Sequence, residues 1–119
     1  MHAGAHDHEP LVFLYRLKPG MGPEYDRAHR AVWPQIMTLL DEAGVYDYRI
    51  WRRGDLVISS LRTRWGYNHA ARITAASEIQ AKWTASLSHV FEEIADQNGE
   101  PLWLDLIFEH RPIPASGRQ

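Results

Sequence analysis

Two segments rich in β-branched and aromatic residues, VYDYRIWR (45–52) and DLVISSLR (55–62), stand on either side of a short turn around Arg53-Gly54. A connection that short joins antiparallel neighbours, so the pair reads as a β-hairpin. The hairpin fixes the middle of the chain, and the flanking segments have to fit around it. Ahead of it, LVFLYRL (11–17) has strand composition and ends at the turn signal Lys18-Pro19-Gly20. Between the two, from about residue 22 to 43, apolar positions recur at helical spacing through Ala28, Val32, Ile36, Leu39, Leu40 and Ala43. Gly44 follows, where a helix C-terminus favours glycine.

Beyond the hairpin, residues 64–95 read as mostly helical, in two pieces meeting near TAASE (74–78), with Ser77 placed to cap the second. The last periodic segment, LWLDLIFE (102–109), alternates. Leu102, Leu104, Leu106 and Phe108 fall on one face, and Trp103, Asp105, Ile107 and Glu109 on the other. The order is β-α-β-β-α-β, an α+β chain of the split βαβ or ferredoxin-like kind. An antiparallel sheet covered by helices on one side leaves its other face open. That face is expected to show large residues, including Trp103 and Ile107, and a second copy of the chain is expected to cover it as a homodimer.

With 119 residues and 45% apolar composition, one domain with its own core is expected. Residues 11–110 hold all the periodicity. Residues 1–10 and 111–119 read as tails, the first flexible and the second containing PIPASGRQ. His2, His6 and His8 offer at most a weak metal site, and the plainer reading is a disordered end without function. No cysteine is present, which excludes disulfides, thiol catalysis and thiolate metal ligands. The formal charge of −2 is spread along the chain, with no basic stripe for nucleic acid. No apolar run is long enough to span a membrane, and the start lacks the apolar segment of a secretory signal. A soluble cytoplasmic protein is expected.

One stretch, PEYDRAHRAVWP (23–34), carries chemistry. Tyr25, His29 and Trp33 recur every fourth residue, and Pro34 then ends the ladder. Positions four apart differ by roughly 40° around a helix, so Tyr25 and His29 point the same way one turn apart. Pro34 withholds a donor and crowds the preceding turn, so a kink or short break is expected there, and Trp33 is less securely tied to the pair. Spacing alone favours packing for these three side chains. Against that, the apolar stripe through Ala28, Val32, Ile36 and Leu39 already serves the core without His29. An unperturbed imidazole, with its pKa of about 6.5, also suits proton transfer near neutrality.

The stretch YRLKPGMGPEYDRAHRAVWPQIMTLLDEAGVYDYRIW resembles the start of an L-rhamnose mutarotase. The family carries Tyr-x-x-x-His-x-x-x-Trp-Pro on its first helix, and the similarity continues through IQAKW (79–83) to LIFEH (106–110). The resemblance implies a dimeric α+β barrel, two ferredoxin-like units sheet to sheet. It implies His29 as the catalytic acid–base residue and Tyr25, Tyr48 and Trp83 as sugar contacts, with no cofactor and no metal. Well-known members have a second tryptophan directly after the first, whereas here Trp83 is followed by Thr84. The sugar is therefore left open between L-rhamnose and L-fucose.

Interconverting the anomers of a pyranose needs a base at the anomeric hydroxyl and an acid at the ring oxygen. One group of near-neutral pKa can serve both directions. Tyr25, Tyr48 or a water would supply the second proton carrier. From spacing alone Trp83, with Ile79 and Leu87 one turn away, and Tyr48, beside Tyr46 and Ile50, read equally well as packing. His69, His89 and His110 read as surface or packing residues. The rival readings are a cofactor-free oxygenase or small-molecule binder on the same dimeric barrel, and a non-catalytic dimer or sensor. A sugar enzyme calls for a polar, wet pocket around His29, and an oxygenase for an apolar one.

Overall fold

The computed structural model describes residues 8–114, so His2 and His6 lie outside the described residues. Strand β1 (Leu11–Leu17) is followed by helices α1 (Gly22–His29) and α2 (Pro34–Ala43), then by strands β2 (Val45–Arg53) and β3 (Leu56–Thr63). Helices α3 (Tyr67–Ala75) and α4 (Glu78–Leu87), a 3-10 turn at Ser88–Val90, and short strands β4 (Phe91–Glu93) and β5 (Leu102–Trp103) complete the order.

The sheet runs β2-β3-β1-β4, with β5 also pairing with β1, and every pairing is antiparallel. The expected hairpin is present: Arg53 pairs with Leu56 across a two-residue turn, Gly54-Asp55. Leu11, Phe13, Leu17, Val57 and Leu61 point to one face, where Tyr25, Ile36, Leu39, Ala43, Ala70 and Leu87 from the helices bury against them. Burial on this scale stabilises by roughly 25 cal/mol per Å² of apolar surface, so this face holds the fold together. The opposite face carries Val12, Leu14, Ile58 and Leu102 half-buried, with Trp51 53% exposed.

Pro34 breaks the 22–43 helix rather than kinking it. Trp33 takes an extended backbone (φ −61°, ψ 136°) as the N-cap of α2, and Pro34 becomes the first helical residue. There its missing N–H costs nothing and its fixed φ is already helical. Gly44 closes α2 in the left-handed region (φ +83°), and its N–H reaches back to Asp41 and Leu40. Ser77 caps α4 as expected, its Oγ accepting from the Gln80 N–H at 3.2 Å.

Three expectations fail. Residues 88–95 are not helical; the chain turns at Ser88–Val90, and Phe91–Glu93 becomes β4, pairing with Arg16 and Leu17. Three residues are too few to show a period of two, and Glu92-Glu93 hides the strand further.

The segment 102–109 is a strand only at Leu102–Trp103. The Leu104 N–H still donates to Val12, but β1 begins at Leu11 behind Pro10, so there is no further edge to pair with. Leu106, Ile107 and Phe108 are 76%, 88% and 79% exposed. The faces are also reversed. Trp103 opposes Phe13 and stacks edge-on against Phe13 and Tyr67 on the helix side, while Leu102 opposes Leu14 on the other. Trp103 is thus core rather than open face.

Candidate active site

A cavity of about 320 Å³ lies between the sheet and the helices, at the low end of the usual ligand-pocket range. Tyr15 of β1, Tyr25 and His29 of α1, Tyr48 of β2 and Trp83 of α4 all line it. The four residues singled out from sequence are thus gathered around one space, from three elements far apart in the chain. Tyr67, Gln80, Thr84, Leu87 and Phe91 line it as well, with Ile94, Ala95, Gly99 and Pro101 from the connection before β5.

Each side chain arrives for a local reason. Tyr25 and His29 are one turn apart on α1, and their rings lie 4.1 Å apart at an interplanar angle of 31°. Tyr25 is 3% exposed and its ring edge meets Phe91, so it serves both the core and the cavity wall. His29 Nδ1 lies 2.9 Å from the Tyr25 carbonyl oxygen. A carbonyl only accepts, so Nδ1 carries the proton. In the neutral imidazole the Nε2 lone pair is then left free, and it has no hydrogen-bond partner among the described residues. The Trp83 ring meets His29 edge-on at 5.6 Å and Trp33 at 5.1 Å. Trp33 therefore still reaches the site, as a wall behind Trp83, although the helix break has taken it off the α1 stripe.

Tyr48 reaches the cavity through an irregularity in β2. The pairing with β3 shifts register between Tyr46 and Arg49, and Asp47 sits at φ +50°. Bulges of this kind bend an edge strand and re-aim the next side chain. As a residue on an edge strand Tyr48 is 37% exposed, while its phenol group is desolvated by the surrounding protein. That burial pushes the Tyr48 phenol above its ordinary value, with the neighbouring Ser59 hydroxyl opposing.

The phenols of Tyr15 and Tyr25 are raised too, first by burial and then by neighbouring phenols, with the Asp26 carboxylate adding at Tyr25. Tyr67 is also raised, by burial and then by Glu100. All four are held neutral, as hydrogen-bond donors. On α4, Gln80 Nε2 donates to Thr84 Oγ1 at 3.1 Å, which places a preset polar pair on the cavity wall.

No Asp, Glu, Lys or Arg lines the cavity among the described residues, which leaves His29 as its imidazole amid phenols. Nor do three or more His, Asp or Glu side chains gather as a metal site among the described residues. His69 packs on Trp65, His89 pairs with Glu24, and His110 is exposed; none lines the cavity. Sequence reading missed Tyr15, Tyr67 and Phe91. Tyr15 was legible, because it shares the parity of Leu11, Phe13 and Leu17 on β1.

Residues 11–110 match the family model described as L-rhamnose mutarotase. A relative named L-rhamnose mutarotase from Sinorhizobium fredii is 35% identical over 103 residues, covering 84% of this chain and 96% of the relative. Another of that name, from Phocaeicola vulgatus, is 29% identical over 98 residues, covering 82% and 93%. The solved structure of an L-rhamnose mutarotase from Formosa agariphila shares the fold with a TM-score of 0.68 at 21% identity, covering 87% of this chain and 99% of that one. The helices on one face of an antiparallel sheet, the cavity between them and the match over residues 11–110 lead to one assignment: the chain belongs to the L-rhamnose mutarotase family.

Proposed function

We propose that the chain is a sugar mutarotase, an isomerase that interconverts the α and β anomers of L-rhamnose, with His29 as the acid–base residue. The observation that carries this is the His29 imidazole: Nδ1 is committed to the Tyr25 carbonyl, and the ring lines a cavity walled by phenols and Trp83. His29 Nε2 takes the proton of the anomeric hydroxyl while the ring oxygen gains one. The C1–O5 bond breaks and C1 becomes the aldehyde carbon. Rotation about C1–C2 and closure on the other face, with the protons returned, give the second anomer. No net proton or electron is consumed. Tyr25, Tyr48 or a water supplies the ring-oxygen proton; both phenols are kept neutral by burial and are therefore donors.

Tyr48 and Trp83 are the proposed sugar contacts with Tyr25, the indole stacking on C–H faces while phenols bind hydroxyls. The four phenols, Gln80 and Thr84 offer hydroxyl and amide partners for sugar hydroxyls, beside apolar surface from Trp83, Leu87, Phe91 and Ile94 for its C–H faces. The strand order β2-β3-β1-β4 supports a ferredoxin-like unit spanning residues 11–110. The half-open apolar face with Trp51, together with exposed Leu106, Ile107 and Phe108, supports a homodimer of the α+β barrel type. A cytoplasmic location goes with this reading. Among the described residues no helix is long and apolar enough to cross a membrane.

The test is saturation transfer between the α and β anomeric proton signals of L-rhamnose, then L-fucose, with and without protein. Enzyme-dependent exchange is expected with L-rhamnose, reduced roughly a hundredfold or more in His29→Ala. Unchanged exchange in that variant removes His29 from the mechanism. Sedimentation analysis checks the dimer separately.

A further inference from the structure

Helix α1 carries both Tyr25 and His29, yet it is only 8 residues long, and the break at residues 30–33 uncouples it from α2. Its placement against β2 decides how far His29 stands from Tyr48 across the cavity. Ile50 of β2 packs in the same apolar cluster as Tyr25 and Ala28, and among the described residues one ion pair adds a directional link between the two elements. Arg52, which follows Tyr48 and Ile50 on the same side of β2, puts Nε 2.8 Å from Asp26 Oδ1 and Nη2 2.6 Å from Asp26 Oδ2. Nη1 donates to the Gly54 carbonyl at 2.8 Å, so the guanidinium is anchored at the hairpin turn as well as to the helix.

Two parallel bonds fix distance and angle together, which a lysine ammonium does not do. Gly22 completes the arrangement. A Cβ there would fall 2.4 Å from Arg52 Nη1, so the missing side chain lets the guanidinium lie against the first turn of α1. Neither Arg52 nor Asp26 lines the cavity.

We propose that Arg52 and Asp26 are positioning residues, a clamp that sets α1 on β2 and so fixes the reach from His29 to Tyr48. This rests on the reading of His29 as the acid–base group. A misplacement of about 1 Å at a reacting group costs up to roughly a hundredfold in rate. Arg52→Ala and Asp26→Ala are each expected to lower kcat ten- to a hundredfold with KM changed less than about threefold. The double variant should be no worse than either single one, because both act through the same pair. Arg52→Lys should recover little.

Gly22→Ala leaves both charges in place and pushes Nη1 aside, so it should lower kcat in the same manner even if the alanine variants of the clamp fold poorly. Each variant is assayed by anomer exchange at 25 °C, with folding checked by circular dichroism. Folded variants with kcat within twofold of the parent, or losses that multiply in the double variant, overturn the clamp while leaving the mutarotase reading intact. No exchange in the unmodified protein overturns both.

Discussion

Replacing Gly44 with alanine tests how closely the end of α2 is packed. Gly44 has φ +83° and ψ 16°, and a Cβ there would lie 2.6 Å from Trp65 Cε3 and 2.9 Å from Cζ3. Gly54 is the natural control, since its φ is +58° and nothing lies within 4 Å of its would-be Cβ. The left-handed backbone costs an alanine roughly 1–2 kcal/mol at either site, offset by about 0.4–1 kcal/mol from a less flexible unfolded chain. Gly54→Ala should therefore cost about 1 kcal/mol. Gly44→Ala adds overpacking against the indole, about 1–2 kcal/mol at the lower end of the usual range because Trp65 is 54% exposed and has room to swing.

For 119 residues, an unfolding entropy of about 2.1 cal/mol/K per residue makes 1 kcal/mol worth roughly 4 °C. Calorimetry at matched protomer concentration should then show Tm falling by about 4 °C for Gly54→Ala and by about 8–12 °C for Gly44→Ala. Adding Trp65→Ala to Gly44→Ala should shrink the second difference toward the first, each measured against its own parent. Equal shifts for the two glycines would refute the reasoning, because only Gly44 has a neighbour to meet.

The phenols of Tyr15, Tyr25, Tyr48 and Tyr67 are all raised above the ordinary 10.0, so above pH 10 the unfolded chain releases protons before the folded one does and stability falls as pH rises. In a Tyr46→Phe background, absorbance near 295 nm should rise together with the loss of circular dichroism; phenolate formation ahead of unfolding would contradict this. The Asp26 carboxyl is held below its ordinary 3.8 by the Arg52 hydrogen bond, so its stabilisation is present above that value and disappears as pH falls through the lower folded one. Asp26→Asn should flatten the Tm profile on the acid side of the ordinary carboxylate range, an effect kept modest by the exposure of the pair. Ser77→Ala removes the α4 cap and should lower stability by about 1 kcal/mol in urea denaturation with an unchanged m-value.

What the chain discloses about itself depends on the range of the signal. β1, the hairpin, the break at Pro34 and the Ser77 cap each rest on a few consecutive residues whose chemistry has one common use, and each is found in place. The Tyr25–His29 pair was legible for the same reason, since helix geometry alone puts the rings together. β4 was not, because Phe-Glu-Glu becomes a strand only by lying along Arg16 and Leu17, residues 70 and more positions earlier. The faces of 102–109 failed for a related cause. Alternation gives two faces but does not say which one meets the helices; pairing with Phe13 decided that, and the pairing stops where β1 begins. Within the site, Tyr48 was named, but its aim depends on a register shift at Asp47 that leaves no mark in composition.

The place of β1 in the sheet has a consequence for how the protein is made. It lies between β3 on one side and β4 and β5 on the other, and all three are later in the chain. During synthesis β1 emerges first and has no partner until the hairpin follows. Its second edge stays open until Phe91 and then Leu102 arrive, a lag of several seconds at about 5–20 residues per second. For that interval the nascent chain carries Leu11, Phe13 and Leu17 on a strand still waiting for the rest of its sheet. A chain stalled before Phe91 would hold every residue singled out for the chemistry, His29, Tyr25, Tyr48 and Trp83, and still lack β4 and β5, the strands that complete that edge.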